Sequence, residues 1–405
     1  MKIFRLTESD AGLMVSDVQR PSPLSGRRLA LITSQAFSIG NFRGPLVREW
    51  VQRGLQVYAF APDYDDRTRS TVTELGAEPV DIPLARASLN PFADVRGTCS
   101  LAVLLRRYRI EISFSYFIKP VIFGGIAARL AGVPHSFAMI EGAGYVFSEH
   151  RNAGFSKTLL KRGVAALYRS GLLKADAAFF LNRDDVALFQ SFGAIEQRQV
   201  ELVGGIGVEL DRFTPSEMPM RPFTFLLAAR LLEHKGVREF VAAAKRLNAE
   251  FPGTRCVVLG SPDLNPASVP ESDLQSWHRK GVIEWQPHVD DVRPWMHRAS
   301  VFVLPSWYRE GVPRSIQEAM AIGRPIITTD MPGCRDTIVD EESGLLVQPR
   351  DIESLYAAMK RLASEPETAR RMGRAARSRA VKYFDARRAN GLIVSRMEAA
   401  LGRSD

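Results

Sequence analysis

The stretch Ser306–Thr329, SWYREGVPRSIQEAMAIGRPIITT, decides the fold. It carries two glutamates, Glu310 and Glu318, with seven residues between them. The apolar run Ser300–Pro305 (SVFVLP) just before it reads as a buried strand. Gly311 and Pro313 then turn the chain, and the amphipathic run Ser315–Ile322 leads to Gly323 and Pro325. A proline at the first helical position and a glycine past the last turn bound a short helix. Pro325–Thr329 is a second buried strand. Glu310 therefore sits on a turn, and Glu318 about one and a half turns into the helix. The helix N-terminus offers free N–H groups and partial positive charge, which suits a phosphate. Two carboxylates beside such an anion site supply acceptors for sugar hydroxyls, as a nucleotide-sugar pocket requires. The plainer reading is that Glu318 pairs with Arg314, four residues earlier, as a solvated helix pair worth about 0.3–0.5 kcal/mol. The position at a strand end of an α/β sheet, where ligands bind, favours the functional reading.

Working outward, the same alternation fills the chain. Leu29–Thr33 is a first strand, followed by a polar loop, Ser34–Gly44, in which Gly40 and Gly44 allow close backbone approach. A helix over Pro45–Arg53 and a strand over Val57–Ala61 complete a β-α-β unit, the mark of a parallel, doubly wound sheet. AVLLRRYRIEISFSY and VIFGGIAARLAGVPHSFAMI each give a helix and then a strand. Leu181–Asp185 and Leu202–Gly207 finish this half. The second half restarts with Thr224–Ala229, Arg255–Gly260 and Val282–Trp285. The fold expected is α/β: two Rossmann-like domains facing across a cleft. Residues 1–27 show no clear period and form an extension. Residues 28–212 form the first domain and 213–385 the second, with a hinge near DRFTPSEMPMRP (211–222), where proline and polar residues cluster.

Composition narrows the class. With 405 residues the chain is too long for one ordinary core, and two domains are the prior. The 45% apolar and 24% charged residues describe a soluble globular protein. Cys99, Cys256 and Cys334 are far apart, which argues against a disulfide framework or zinc cluster and for a reducing compartment. No apolar run reaches the ~18 residues of a membrane span. Glu8 and Asp10 interrupt any signal-peptide core. The expected location is cytoplasmic.

A net charge of +9 and a pI of about 9.6 call for anionic partners. No zinc-finger spacing or RNA-recognition sequence points to nucleic acid. Basic residues gather at Arg106, Arg107 and Arg109 and again over Arg151–Lys174, where they alternate with Leu, Val and Tyr at helical spacing. That second stretch could lie on an anionic membrane surface, apolar face down, or be an ordinary surface helix. LLAARLLEHKG places Arg230 just after a buried strand and Lys235 five residues on. A guanidinium and an ammonium at a strand end can clamp a diphosphate. Asp63-x-Asp65 in PDYDD and the pair Asp290–Asp291 read as a polar loop and a helix-start cap.

Glu310, Gly311, Pro313, Glu318, Ala319, Ala321, Gly323, Pro325 and the later GLLV (Gly344–Val347) together resemble the signature of family 4 retaining glycosyltransferases, which have the GT-B fold. REGVPRS followed by EAMAIGRPIITTDMPGC resembles the branch that builds bacterial lipid-linked and surface polysaccharides. The resemblance covers about residues 28–385 and is stronger in the second half. It implies retaining transfer from a nucleotide diphosphate sugar, UDP-linked, to a polyprenyl-diphosphate-linked or other glycan acceptor in capsule, O-antigen or glycoprotein-glycan assembly, at the inner face of the cytoplasmic membrane; a soluble acceptor stays open at this point. It implies no cofactor and no metal, because Arg230 and Lys235 bind the donor diphosphate and stabilise charge on the leaving group.

The resemblance also implies that Glu310 contacts donor-sugar hydroxyls, helped by the Gly311 and Val312 amides, and that Glu318 takes the ribose hydroxyls. The base is expected near His288 and Val289, although Pro287 stands where glycine is common. On the acceptor side, Gly40 and Lys119 are candidates, Lys119 for a phosphate or else as a surface lysine. At the strand end where many family members carry a histidine, this chain has Ile140, Glu141 and Gly142. Glu141 is the candidate acceptor-side base, or a cap for the glycine-rich loop; His135 reads as a core histidine. In GT-B proteins the last helix, here within 386–405, crosses back to the first domain. A nucleotide-sugar epimerase and a non-catalytic partner subunit share this layout and remain open at this point.

Overall fold

The computed structural model describes residues 22–84, 91–147, 155–263 and 265–402. Two wholly parallel sheets dominate it. The first is built from β1 (Arg28–Ile32), α1 (Gly44–Gln52), β2 (Gln56–Ala61), α2 (Asp66–Glu74), β3 (Glu78–Asp81), α3 (Pro91–Arg107), β4 (Ile112–Tyr116), α4 (Gly125–Ala131), β5 (His135–Ile140), α5 (Phe155–Leu172), β6 (Ala177–Phe180), α6 (Arg183–Ser191) and β7 (Val200–Leu202). The second uses β8 (Phe223–Ala228), α7 (Val237–Glu250), β9 (Thr254–Leu259), α8 (Glu271–Arg279), β10 (Glu284–Gln286), α9 (Arg293–Arg298), β11 (Val301–Leu304), α10 (Arg314–Ile322), β12 (Ile326–Thr329) and β13 (Gly344–Val347). Helices α11 (Ile352–Ser364), α12 (Pro366–Tyr383) and α13 (Ala386–Leu401) follow.

Strand order is β3-β2-β1-β4-β5-β6-β7 in one sheet and β10-β9-β8-β11-β12-β13 in the other. Both orders reverse direction once, at β1/β4 and at β8/β11. A crevice opens beyond the carboxyl ends of the strands at such a switch point. The inner strands β4, β6, β8, β11 and β12 are buried along their whole length, as a sheet covered on both faces demands, while β3, β7 and β10 are mostly half-buried or exposed. α13 returns to the first sheet: it packs on α1 and β5, Glu398 accepts from Ser22 at 2.7 Å, and Arg396 pairs with Glu201 at 2.7 Å. Residues 22–27 turn onto the same body, with Leu24 fully buried; residues 1–21 lie outside the described residues.

Two sequence expectations need correction. Leu181–Asp185 is not a strand: β6 ends at Phe180 and Asn182 caps α6, its side chain accepting from the Asp185 N–H at 2.8 Å. Leu202–Gly207 is a loop, because Gly204, Gly205 and Gly207 all adopt positive φ, and the strand is Val200–Leu202 instead.

The segment joining the sheets is tied to the second one. Arg324, fully buried, donates to the carbonyls of Ser216, Glu217, Met296 and His297 and to the Ser216 hydroxyl. This guanidinium has only neutral partners there, and burial pushes it down to about 10. Among the described residues, no helix is long and apolar enough to cross a membrane.

Candidate active site

The two switch points face each other. A cavity of about 590 Å³ lies between them, lined by Ser34 and Gln35 after β1, Phe117–Lys119 after β4, Glu141 and Gly142 after β5, and Arg230, Tyr308 and Glu310 from the second sheet. A second cavity of about 320 Å³ continues from it, sharing Phe42, Phe117, Glu141, Arg230 and Glu310. Its own walls are Lys235, Gly311–Ser315 and Glu318. The half-buried start of α10 therefore opens into this second cavity, with its N-terminal dipole directed to an anion there.

Arg230, Lys235, Glu310 and Glu318 all line that one cavity. Lys235 Nζ donates to Glu310 Oε1 at 2.6 Å, and the Ser306 hydroxyl donates to the same oxygen at 2.8 Å. Burial alone would push the Glu310 carboxyl up. The Lys235 charge and these two hydrogen bonds outweigh it and hold the carboxyl below the usual range. Arg230, half exposed, leans on Asp263 at 3.8 Å and keeps its guanidinium at the junction of the cavities. Glu318 pairs with Arg314 at 2.9 Å, and burial pushes its carboxyl up against that pull. The helix pair and the cavity-facing position thus coexist in one residue.

A glycosyl transferases group 1 model matches residues 211–379, and a glycosyl transferase 4-like domain model matches residues 39–205. The chain is a family 4 glycosyltransferase of the GT-B fold. It is 26% identical over 370 residues, 88% of its length and 94% of the other's, to the N,N'-diacetylbacillosaminyl-diphospho-undecaprenol α-1,3-N-acetylgalactosaminyltransferase of Campylobacter jejuni. Identity is 24% over 299 residues, 70% of this chain and 74% of the other, to the UDP-Gal:α-D-GlcNAc-diphosphoundecaprenol α-1,3-galactosyltransferase of Escherichia coli. Among solved structures, sucrose-phosphate synthase from Thermosynechococcus elongatus superposes with a TM-score of 0.75 at 18% identity, over 94% of this chain and 100% of that one.

The remaining candidates of this glycosyltransferase are placed unevenly. Lys119 lines the larger cavity and is ion-paired with Asp94 at 2.7 Å. Glu141 lines both cavities, and one of its oxygens is held by Arg43, a buried guanidinium that also stacks 4.7 Å from the Tyr116 ring centre. Gly142 lies against Gly311 across the cleft: a Cβ there would stand 3.1 Å from the Gly311 nitrogen. Gly40 sits apart from the cavity walls, where a Cβ would meet the Thr71 side chain of α2 at 2.6 Å. His288 and Val289 are not among the residues lining either cavity. The His288 N–H donates to the Ser261 hydroxyl at 2.9 Å, and Val289 packs on the core.

The acidic pairs read as structural have structural partners. Asp63 accepts from the Ala36 N–H at 2.6 Å, Asp65 caps α2, and Asp291 accepts from the Arg293 N–H at 3.0 Å. His135 is buried beside Asp176, at 3.5 Å. Among the described residues, no group of three or more His, Cys, Asp or Glu side chains is set to hold a metal ion.

Sequence reasoning missed the residues that hold the Glu310 turn from behind. Gln317, fully buried, donates to Val312 O at 3.0 Å and accepts from the Gly207 N–H at 3.0 Å. Asn182 donates to Gly311 O at 2.7 Å from the other sheet. The only signal for Asn182 was its place as a cap between an apolar run and NRDDVALF.

Proposed function

We propose that this enzyme moves a hexosyl or N-acetylhexosaminyl unit, with retention, from a UDP-sugar to a polyprenyl-diphosphate-linked glycan in surface polysaccharide or glycan assembly. The observation that carries the reading is the convergence of Arg230, Lys235, Glu310 and Glu318 on one cavity between facing strand ends. The printed activities of the Campylobacter jejuni and Escherichia coli relatives support the lipid-linked acceptor, and the second also supports the UDP donor.

In this reading Glu318 accepts from the ribose hydroxyls and Arg230 and Lys235 grip the diphosphate. Glu310 accepts from sugar hydroxyls through the oxygen that Lys235 leaves free. The acceptor hydroxyl approaches the anomeric carbon on the face the diphosphate leaves. The bond from that carbon to the phosphate oxygen breaks, the new glycosidic bond forms, and the acceptor's proton passes to the departing phosphate. Lys235 and Arg230 stabilise the charge left on the nucleoside diphosphate, so the protein supplies position and field. The larger cavity holds the acceptor, with Lys119 and Arg230 available to its phosphate and Phe37, Phe42 and Phe117 to its apolar faces. The first sheet with residues 28–212 forms the acceptor-side domain, and 213–385 the donor domain. Residues 22–27 and α13 pack on the acceptor-side domain.

Docking on the inner face of the membrane is part of this reading, and α5 supports it. It exposes Leu159, Leu160 and Leu167 together with Arg162 and Arg169, and Leu173 and Lys174 are exposed just beyond it. Residues 151–154 of the basic stretch lie outside the described residues.

The test is a screen of UDP- and GDP-sugars against polyprenyl-diphosphate-linked sugars, with product anomers read by NMR. An α-linked product from an α-linked donor supports the reading. Conversion of UDP-sugar alone to an epimer, or nucleotide binding without transfer to any acceptor, refutes it. Co-sedimentation with anionic vesicles, lost on L159E/L160E, tests the membrane contact.

A further inference from the structure

The Glu310 turn belongs to the second sheet, yet the first turn of α6 in the first sheet holds part of its backbone. Asn182 is 2% exposed. Its Oδ1 accepts from the Asp185 N–H at 2.8 Å, and its Nδ2 donates to Gly311 O at 2.7 Å, Glu310 O at 3.2 Å and Asp185 Oδ2 at 3.0 Å. Asp185, fully buried beneath it, meets Arg309 Nη2 at 3.3 Å. Residues 309, 310 and 311 are thus each gripped from the opposite lobe. The same turn is hemmed in elsewhere: Glu310 N–H donates to Pro332 O at 3.2 Å. A Cβ on Gly333 would come within 2.2 Å of Gly311 O.

We infer that Asn182, backed by the Asp185–Arg309 pair, is a positioning residue for the donor-sugar turn: it fixes the Glu310 and Gly311 carbonyls from the acceptor-side lobe. The sugar end of the donor site is then complete only when the lobes are together. The inference rests on the reading of Glu310 as the donor-sugar carboxylate. Glu318, Arg230 and Lys235, which serve the ribose and diphosphate, stand on the second lobe and Asn182 touches none of them; Arg314, the partner of Glu318, has its own separate cross-cleft contact with the Asn41 carbonyl. Nucleotide binding and sugar transfer therefore separate. A bracket of this kind also couples bond-making to closure, because an open enzyme binds nucleotide with the backbone of its sugar-holding turn short of its cross-cleft partner.

A helix cap alone would not need an amide. Serine caps as well as asparagine, accepting from the same N–H, but carries no second donor to reach the other lobe. Asn182→Ser therefore keeps the α6 cap and removes the bracket. Asn182→Asp is isosteric but sets an acceptor against two carbonyls and a carboxylate.

The experiment measures, for wild type, Asn182→Ser, Asn182→Asp and Glu310→Gln, the melting temperature, the Kd for UDP by calorimetry, and kcat and KM for transfer. For Asn182→Ser we expect UDP affinity within about threefold of wild type and kcat lower by roughly 10- to 100-fold, the scale of leaving buried carbonyls unpaired. Asn182→Asp loses at least as much. Unchanged kcat in Asn182→Ser overturns the bracket. So does a parallel loss of UDP affinity and melting temperature, which marks Asn182 as a residue of the fold alone. If Glu310→Gln itself transfers at the wild-type rate, the donor-sugar reading fails instead, and the two failures are told apart.

Discussion

Glu141 and Gly311 touch across the cleft: a Cβ built on Gly311 would stand 2.7 Å from the Glu141 carbonyl oxygen and 3.0 Å from Leu181. The two lobes therefore meet at backbone distance beside the reacting centre. Gly311→Ala cannot be absorbed by a flexible side chain, since the nearest atom is main chain. Overpacking of this kind costs about 1–3 kcal/mol, and here opening the cleft relieves it. The expected outcome is a loss of transfer with UDP affinity retained, and an increased radius of gyration in small-angle scattering. A Gly311→Ala enzyme that transfers normally contradicts the contact.

The Lys235–Glu310 pair makes a second prediction. Both side chains are largely buried, 13% and 11% exposed. Removing one partner strands the other's charge, which costs about 3–5 kcal/mol in buried pairs. Lys235→Met and Glu310→Gln should each lower the melting temperature and cut transfer by orders of magnitude. The double variant should regain much of the melting temperature and none of the activity, because the diphosphate grip is still missing.

Glu318 separates two roles. If it serves the ribose, Glu318→Gln weakens charge-assisted hydrogen bonds worth about 1.5–3 kcal/mol and raises KM for the nucleotide sugar roughly 10- to 150-fold. If it only pairs with Arg314, KM stays at its wild-type value.

Asp185 sets a pH dependence. Burial pushes its carboxyl up to about 6, against the pull of Arg309 and Asn182 and with a small push from Asp184. The charged form that pairs with Arg309 therefore dominates above about 6 and is lost below it. Transfer should fall as pH drops through that value, and Asp185→Asn should remove this limb of the kcat profile. His234 is not the source of the limb. Burial and the Lys235 and Arg230 charges push it down to about 4, so it stays neutral throughout. For stability the sign is opposite: the raised folded value means the Asp185 contribution is present at low pH and lost as pH rises through about 6.

In the proposed mechanism Arg230 and Lys235 supply the positive charge at the leaving group, so EDTA should leave transfer largely intact. Strong dependence on added Mg²⁺ or Mn²⁺ in a rate assay would contradict this account.

The donor side was legible because its parts are consecutive. Strand, turn, cap and helix over 300–329 lie within one supersecondary unit, and local signals place Glu310 on the turn and Glu318 on the helix; the elements differ slightly in extent, with β11 over Val301–Leu304, α10 from Arg314 and β12 from Ile326. The repeated apolar runs announced parallel, doubly wound sheets, but not the order of their strands. What stayed hidden is long-range. Asn182 and Gly311 are 129 positions apart, and nothing local to either announces the other. Arg43, beneath Glu141, is a buried charge in a segment that reads as a polar loop. Leu202–Gly207 misled because Leu-Val begins like a strand while three glycines take the backbone elsewhere. His288 sits at the rim because the short β10 ends two residues earlier and its backbone is tied to Ser261.

The return of α13 onto α1 has a consequence for biosynthesis. Leu46, Val47 and Trp50 on α1 share one buried cluster with Ile393, Val394, Met397 and Leu401. Once α1 has left the ribosome it therefore waits, its greasy side uncovered, until the chain as far as α13 has emerged. Shielding by a chaperone during that interval would matter more to this enzyme's yield than the intrinsic speed of either half.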